Sequence, residues 1–189
     1  MANETMMQED QMAAVEASAQ TGKADGKAEK DASRAEAGLY LTFELGKEFY
    51  GLEILKVQEI IGMMEVTHVP RTPEYVRGVV NLRGKVIPVV DLRAKFAMEP
   101  TEDTERTCII VLEVRKGQQA LTMGIIVDEV CEVLEVGASQ IEPPPSFGAG
   151  VESDFIMGMG KVGEKVVMLL EVDRALVGDE LAFAEQIAL

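Results

Sequence analysis

Gly78-Val79-Val80-Asn81-Leu82-Arg83-Gly84-Lys85-Val86-Ile87-Pro88-Val89-Val90-Asp91-Leu92-Arg93 reads as two apolar, β-branched runs, 78–82 and 86–92, folded back on one another at Arg83-Gly84-Lys85. The glycine supplies the positive φ that a tight hairpin turn needs. The result is a hairpin with a cationic tip. A guanidinium on a short turn is held away from the sheet, so Arg83 is either a solvated charge or a donor group reserved for a partner's carboxylates or carbonyls. Pro88 has no N–H to give to a ladder, which places the second strand at an edge or at a bulge.

The composition narrows what such a hairpin belongs to. A chain of 189 residues, 47% of them hydrophobic, is long enough for one substantial domain or two small lobes. No apolar run approaches the roughly 20 residues of a membrane span, and no basic stretch followed by an apolar one marks a secretory signal. A soluble, cytoplasmic protein is therefore expected. A formal net charge of −15 opposes binding to a nucleic-acid backbone or insertion into an anionic membrane, both of which call for a cationic face. Cys108 and Cys131 lie in apolar runs and read as small core residues of a reducing compartment. The single histidine, His68, and two distant cysteines offer no metal-ligand spacing. No phosphate-cradling glycine loop and no nucleophile elbow is present, so no cofactor is expected.

Along the chain, residues 1–37 contain no aromatic, leucine or isoleucine and a single valine, which makes them an acidic, Ala-rich disordered tail. From Gly38 the pattern becomes short strands punctuated by glycine. Residues 39–45 alternate, Gly46-Lys47 turns the chain, and 48–53 return. Residues 54–61 read as a helical turn leading into a strand. Arg93–Phe96 forms a brief helix that stops before Pro100. Asp179 caps a last helix within 178–189, with Leu181, Ala184 and Ile187 on one side.

The second half repeats the first. A shift of about 73 positions carries Ile54–Ile60 onto Val127–Val133 and Gly51 onto Gly124. After an insertion in the loop Pro143-Pro144-Pro145-Ser146-Phe147-Gly148-Ala149-Gly150, a shift of about 80 carries Glu74–Gly78 onto Asp154–Gly158 and Lys85–Asp91 onto Lys165–Glu171. An internally duplicated all-β protein follows: two similar small barrels side by side, sharing an interface because neither half buries a good core alone. The lobes are expected over roughly 38–100 and 101–177, with exchange of strands between them allowed.

The motif Gly78–Gly84 followed by Pro88 and Val90-Asp91-Leu92-Arg93, together with Tyr50–Ile60, resembles the CheW family of chemotaxis coupling proteins. The likeness covers about 38–177, a whole-domain match. It implies two five-stranded SH3-like β-barrels and a non-catalytic adaptor. Its implied partners are the regulatory domain of a CheA-type histidine kinase and the cytoplasmic tip of methyl-accepting chemoreceptors, joined in membrane-associated arrays. Carried over residue by residue, the resemblance puts receptor-binding positions at Val57, Glu59, Gly78, Asn81, Arg83 and Gly84. It puts the kinase-binding region at the loop of Phe147, with Ile141 and Glu142 beside it. Phe147 suits an anchor, since an aromatic on a Pro-stiffened loop loses little entropy on docking.

Three other readings are weighed. Family members also serve non-chemotactic sensory arrays. A small-ligand-binding barrel lacks a phosphate-binding loop to support it. An enzyme would draw on the repeat-related carboxylates Asp91 and Glu171 for acid–base work, although these also suit ion pairs with Arg93 and Arg174 or helix caps. The counterpart of the first tip is Lys161-Val162-Gly163-Glu164, so the strands are shared scaffold and the functional weight falls on Asn81, Arg83 and Gly84.

Overall fold

Alternation and glycine turns call for short strands, and eleven fall among the described residues. In the computed structural model, which describes residues 35–145 and 154–176 together with 178, 182 and 184, they are β1 Gly38–Leu45, β2 Glu48–Glu53, β3 Val57–Gly62, β4 Val76–Leu82, β5 Lys85–Asp91, β6 Cys108–Lys116, β7 Gln119–Val127, β8 Glu129–Val136, β9 Ile141–Glu142, β10 Ile156–Val162 and β11 Lys165–Leu170. A 3-10 turn, Ile54–Lys56, precedes β3, and two short helices, α1 Leu92–Lys95 and α2 Val172–Ala175, follow β5 and β11. Phe147 and most of 178–189 lie outside the described residues. Of the expected last helix, Ala182 and Ala184 are described as helical and Ala184 is buried.

The strands form two curled, barrel-like sheets, ordered β8-β1-β2-β11-β10-β9 and β3-β6-β7-β5-β4. Apart from the two-residue β9, the orders are the same once β8, β1, β2, β11 and β10 are matched to β3, β6, β7, β5 and β4. The sheets do not divide at 100/101. The hairpin β1–β2 from the first half sits in the sheet of β10 and β11, and the hairpin β6–β7 from the second half sits in the sheet of β4 and β5. The physical reason is the duplication itself, since a repeated hairpin presents the same pairing edge to either sheet.

Each exchanged hairpin is joined by a parallel pair. β2 runs alongside β11 with Gly51 opposite Leu169, and β7 alongside β5 with Gly124 opposite Val89. These are the same positions in the two repeats. Both glycines are there for close approach. A Cβ on Gly124 would stand 2.8 Å from Ile109 Cγ2 and 3.2 Å from Val89 Cγ2, and one on Gly51 would stand 3.0 Å from Leu169 Cδ2.

Parallel strands are covered on both faces, and β5 accordingly buries Ile87, Pro88, Val89 and Val90 in succession. Ile87 and Val89 pack inside their own barrel with Val80, Ile109, Val111 and Ile126. Val90 points the other way, into a cluster with Leu112, Met123 and Ile125 from its own sheet and Phe43, Leu52 and Leu170 from the other. A third cluster, Tyr40, Val136, Met157, Val167 and Leu169, fills the second barrel. Each fully buried aliphatic side chain contributes about 1.5–3 kcal/mol, so the shared cluster holds the two barrels together as one unit.

Two expectations are corrected. β5 lies between β4 and β7 rather than at an edge, and the bulge in its pairing with β4 falls between Val76 and Gly78, opposite Val90 and Val89 rather than at Pro88; the ladder to β7 runs over Val89–Asp91 and does not include Pro88. Cys131 is exposed and Cys108 half-buried, and both are free thiols. The strand β8 is the outer member of its sheet, so apolar residue types on it are not all drawn inward.

Gly78 sits at a β-bulge with φ of 142°. Thr67 exchanges backbone hydrogen bonds of 2.8 and 2.9 Å with the adjacent Val79, and a Cβ on Gly78 would stand 2.2 Å from the Thr67 carbonyl oxygen. The substitution Gly78→Ala should therefore cost about 2–4 kcal/mol and lower the thermal midpoint by roughly 5–15 °C. An unchanged melting curve would show that this approach is not needed.

At the end of β2, burial pushes the Glu53 carboxyl above its usual 4.5, and Glu171 raises it further while Lys56 opposes the shift. A carboxyl raised in the folded state costs nothing below pH 4.5 and destabilises progressively as pH climbs through the raised value. The variant Glu53→Gln should thus be more stable than the parent at neutral pH, with the gain vanishing below pH 4.5. Denaturant melts at several pH values check this.

Candidate functional site

The β4–β5 hairpin closes in a two-residue turn. Arg83 and Gly84 have φ of 52° and 85°, the doubly positive pattern of a type I′ turn. Lys85 already belongs to β5. An arginine is an uncommon residue in this conformation, and the turn is fixed locally by Asn81, whose Oδ1 accepts the Gly84 N–H at 2.9 Å. Asn81 and Gly84 therefore shape the tip that presents Arg83.

The Arg83 guanidinium does not stand free. It reaches across to the edge strand β3 and grips Glu59 with both ends, Nη1 to Oε2 at 2.9 Å and Nη2 to Oε1 at 2.6 Å. This fork-to-carboxylate geometry fixes orientation as well as charge. The Glu59 side chain is 28% exposed and that of Arg83 75%, so the pair lies at the surface and contributes only about 0–1 kcal/mol to stability. Its effect is to tie the hairpin tip to β3, a contact between residues 24 apart in the chain.

A bulge between Val57 and Glu59 interrupts the pairing of β3 with β6 and re-aims the strand. Val57 is half-buried against the shared core, so it anchors β3 more than it offers surface. Gly78 is buried beneath the hairpin and acts through backbone placement. Sequence reasoning did not single out the exposure of Leu55, 95% exposed on the turn before β3, or of Ile60, 42% exposed on β3 itself. The outward set on an edge strand is legible as alternation, but only once the strand is known to be an edge.

The second repeat lacks this arrangement. Its tip is Gly163-Glu164, with φ of 61° at Gly163, and the counterpart of Glu59 is Glu132, an exposed residue of β8. Near that tip Lys161 pairs with Glu142 at 2.7 Å, which compensates the charge of Glu142. Ile141 packs against the core of its barrel and pairs with Gly160 through β9.

The repeat-related carboxylates have structural tasks. Asp91 accepts the Ala94 N–H at 3.2 Å as the cap of α1 and pairs with Arg77 at 2.8 Å. The expected partner Arg93 instead pairs with Asp128 at 2.5 Å. Glu171 caps α2 through the Asp173 N–H at 3.4 Å. Arg77, Asp91, Arg93 and Asp128 line a cavity of about 110 Å³, against the roughly 300 Å³ or more of small-molecule sites. Its arginines are engaged by Asp91, Asp103 and Asp128.

Comparison with known proteins agrees with this architecture. The family model described as a CheW-like domain matches residues 39–180. The chemotaxis protein CheW of Klebsiella aerogenes is 41% identical over 149 residues, covering 79% of this chain and 87% of that protein. The chemotaxis protein CheW of Rhizobium meliloti is 34% identical over 140 residues, covering 74% and 88%. The crystal structure of the scaffolding protein TtCheW from Thermoanaerobacter tengcongensis superposes with a TM-score of 0.67 at 32% identity, covering 76% of this chain and 95% of that one. With the family model spanning most of the chain and the duplicated barrels in place, this protein belongs to the CheW family of chemotaxis coupling adaptors.

Proposed function

We propose that this adaptor joins the cytoplasmic tip of methyl-accepting chemoreceptors to the regulatory domain of a CheA-type histidine kinase, at receptor arrays on the inner side of the membrane. Among the described residues no helix is long and apolar enough to cross a membrane. The observation that carries the reading is the Glu59–Arg83 pair. It locks the hairpin tip onto an edge strand whose neighbours Leu55 and Ile60 are exposed, giving a charged, oriented rim beside apolar anchors. An amphipathic helical hairpin is recognised by this combination.

The kinase side is assigned to Phe147, which lies outside the described residues, with Ile141 and Glu142 on β9 of the other sheet. Its support is the Pro143-Pro144-Pro145 run that precedes Phe147 in the sequence and the exposed Glu142–Lys161 pair. An adaptor without chemistry of its own transmits a signal when its contacts differ between the two signalling states of its partners.

The variant Arg83→Ala should keep the fold, with a stability change within about 1 kcal/mol, while weakening receptor binding by roughly 30-fold, the effect of losing an interface hot spot. Receptor-dependent kinase activation in a reconstituted array reads this directly, and wild-type activation would sink the reading. For the other face, Phe147→Ala should weaken binding to the kinase regulatory domain about tenfold. Titration calorimetry giving the parent affinity would rule out the anchor.

A further inference from the structure

The two proposed surfaces belong to different sheets. Val57, Glu59 and the hairpin tip lie in the sheet of β3 and β4, whereas Ile141 and Glu142 lie in the sheet of β9 and β10. Coupling between them therefore depends on what crosses from one sheet to the other. Besides the apolar core, polar contacts among the described residues do so: the exposed pair Arg106–Glu129, and two less exposed clamps centred on Arg93 and Asp173, which are equivalent positions in the repeats.

In the first clamp, Arg93 on α1 pairs with Asp128 just before β8 at 2.5 Å. The Asp128 carboxylate also accepts the Gly46 N–H at 2.6 Å, from the β1–β2 turn. In the second clamp, Asp173 on α2 pairs with Lys56 just before β3. The Asp173 carboxylate also accepts the Arg115 N–H at 2.7 Å, from the end of β6. Arg93 and Asp173 are related by the same shift of about 80 positions that relates β5 to β11. The charge at this position is reversed and the partner is offset by one residue, since Lys56 falls on Glu129 rather than Asp128, but in both repeats the short helix grips the approach to an outer strand. Each clamp pins the approach to the outer antiparallel strand of one sheet.

The second clamp bears on the receptor-facing edge. Lys56 immediately precedes Val57, and β6, held at Arg115, is the strand on which β3 pairs. Asp173 therefore grips both β3 and its partner from α2, the continuation of β11. The strand β11 pairs with β10, which in turn pairs with β9. The side chains of Lys56 and Asp173 are 21% and 24% exposed, burial enough to make the pair directional rather than a loose surface contact.

We propose that Asp173 is a positioning residue that ties the kinase-side sheet to the receptor-facing strand, setting Val57 and Glu59 through Lys56 and Arg115. This rests on the receptor and kinase assignments made above. The test compares Asp173→Asn, which keeps an acceptor for the Arg115 N–H but removes the charge facing Lys56, with Lys56→Met and with the double variant. Amide hydrogen exchange over 57–61 and receptor-dependent kinase activation are both read on the full-length chain.

Each single variant should speed exchange over 57–61 by about tenfold and lower activation several-fold, with the double variant no worse than either single. Arg93→Ala, which opens the other clamp, should leave exchange over 57–61 at the parent rate. Parent exchange rates in both single variants overturn the proposal, as does additive loss in the double variant. Parent activation despite faster exchange also overturns it. Arg83→Ala in the same assay separates the two ideas. Lost activation there beside parent behaviour of Asp173→Asn defeats the positioning role and leaves the receptor reading standing. If Arg83→Ala is silent, the receptor reading fails and the exchange rates still decide the positioning role.

Discussion

Everything in this molecule depends on two parallel strand pairs, β2 with β11 and β5 with β7, that stitch each exchanged hairpin into the sheet of the other repeat. Parallel neighbours have no short turn between them, so each pair is made by chain segments far apart in sequence. The pairs place Gly51 against Leu169 and Gly124 against Val89, at contacts too close for any larger residue without repacking. Because these strands are covered on both faces, their outward residues become the shared core. The barrels are thus separate sheets around a common interior, and their relative orientation is part of the fold.

That constraint sets where function can sit. With the shared interior committed to packing, the surfaces left for partners among the described residues are outer strands and hairpin tips. The first tip is distinguished by one ion pair that is nearly neutral for stability and specific in direction. The second tip has the same strands and a similar glycine turn, yet carries Glu164 and the Lys161–Glu142 pair instead. Duplication provided two equivalent scaffolds, and charge made them different. The same logic reappears in the clamps Arg93–Asp128 and Lys56–Asp173, where the equivalent positions Arg93 and Asp173 hold opposite signs.

Much of this was legible in residue order, for identifiable physical reasons. The hairpin of β4 and β5, the turn at Gly84, the helical turn before β3 and the brief α1 all follow from local alternation, turn chemistry and capping, which act within a few residues. The internal repeat was visible because both halves need the same pattern of apolar and glycine positions. Less legible was the fate of individual side chains. Cys131 looked like a core residue and is exposed, Pro88 looked like an edge marker and lies inside a sheet, and Arg83 looked unpaired and holds Glu59. Each depends on which strand lies alongside, a fact that no window of sequence contains.

The sequence by itself determined the strands, their turns, the duplication and the family, because these rest on local periodicity and on motifs such as Asn81-Leu82-Arg83-Gly84. Tertiary structure alone decided which hairpin joins which sheet, since each half offers the same pairing edges and apolar faces. From that exchange follow the interior position of β5, the outer positions of β3 and β8, and the meeting of Glu59 with Arg83 and of Lys56 with Asp173. These are contacts between residues distant along the chain: the curl of one sheet brings Glu59 to Arg83, and the packing of the two barrels against one another brings Lys56 to Asp173.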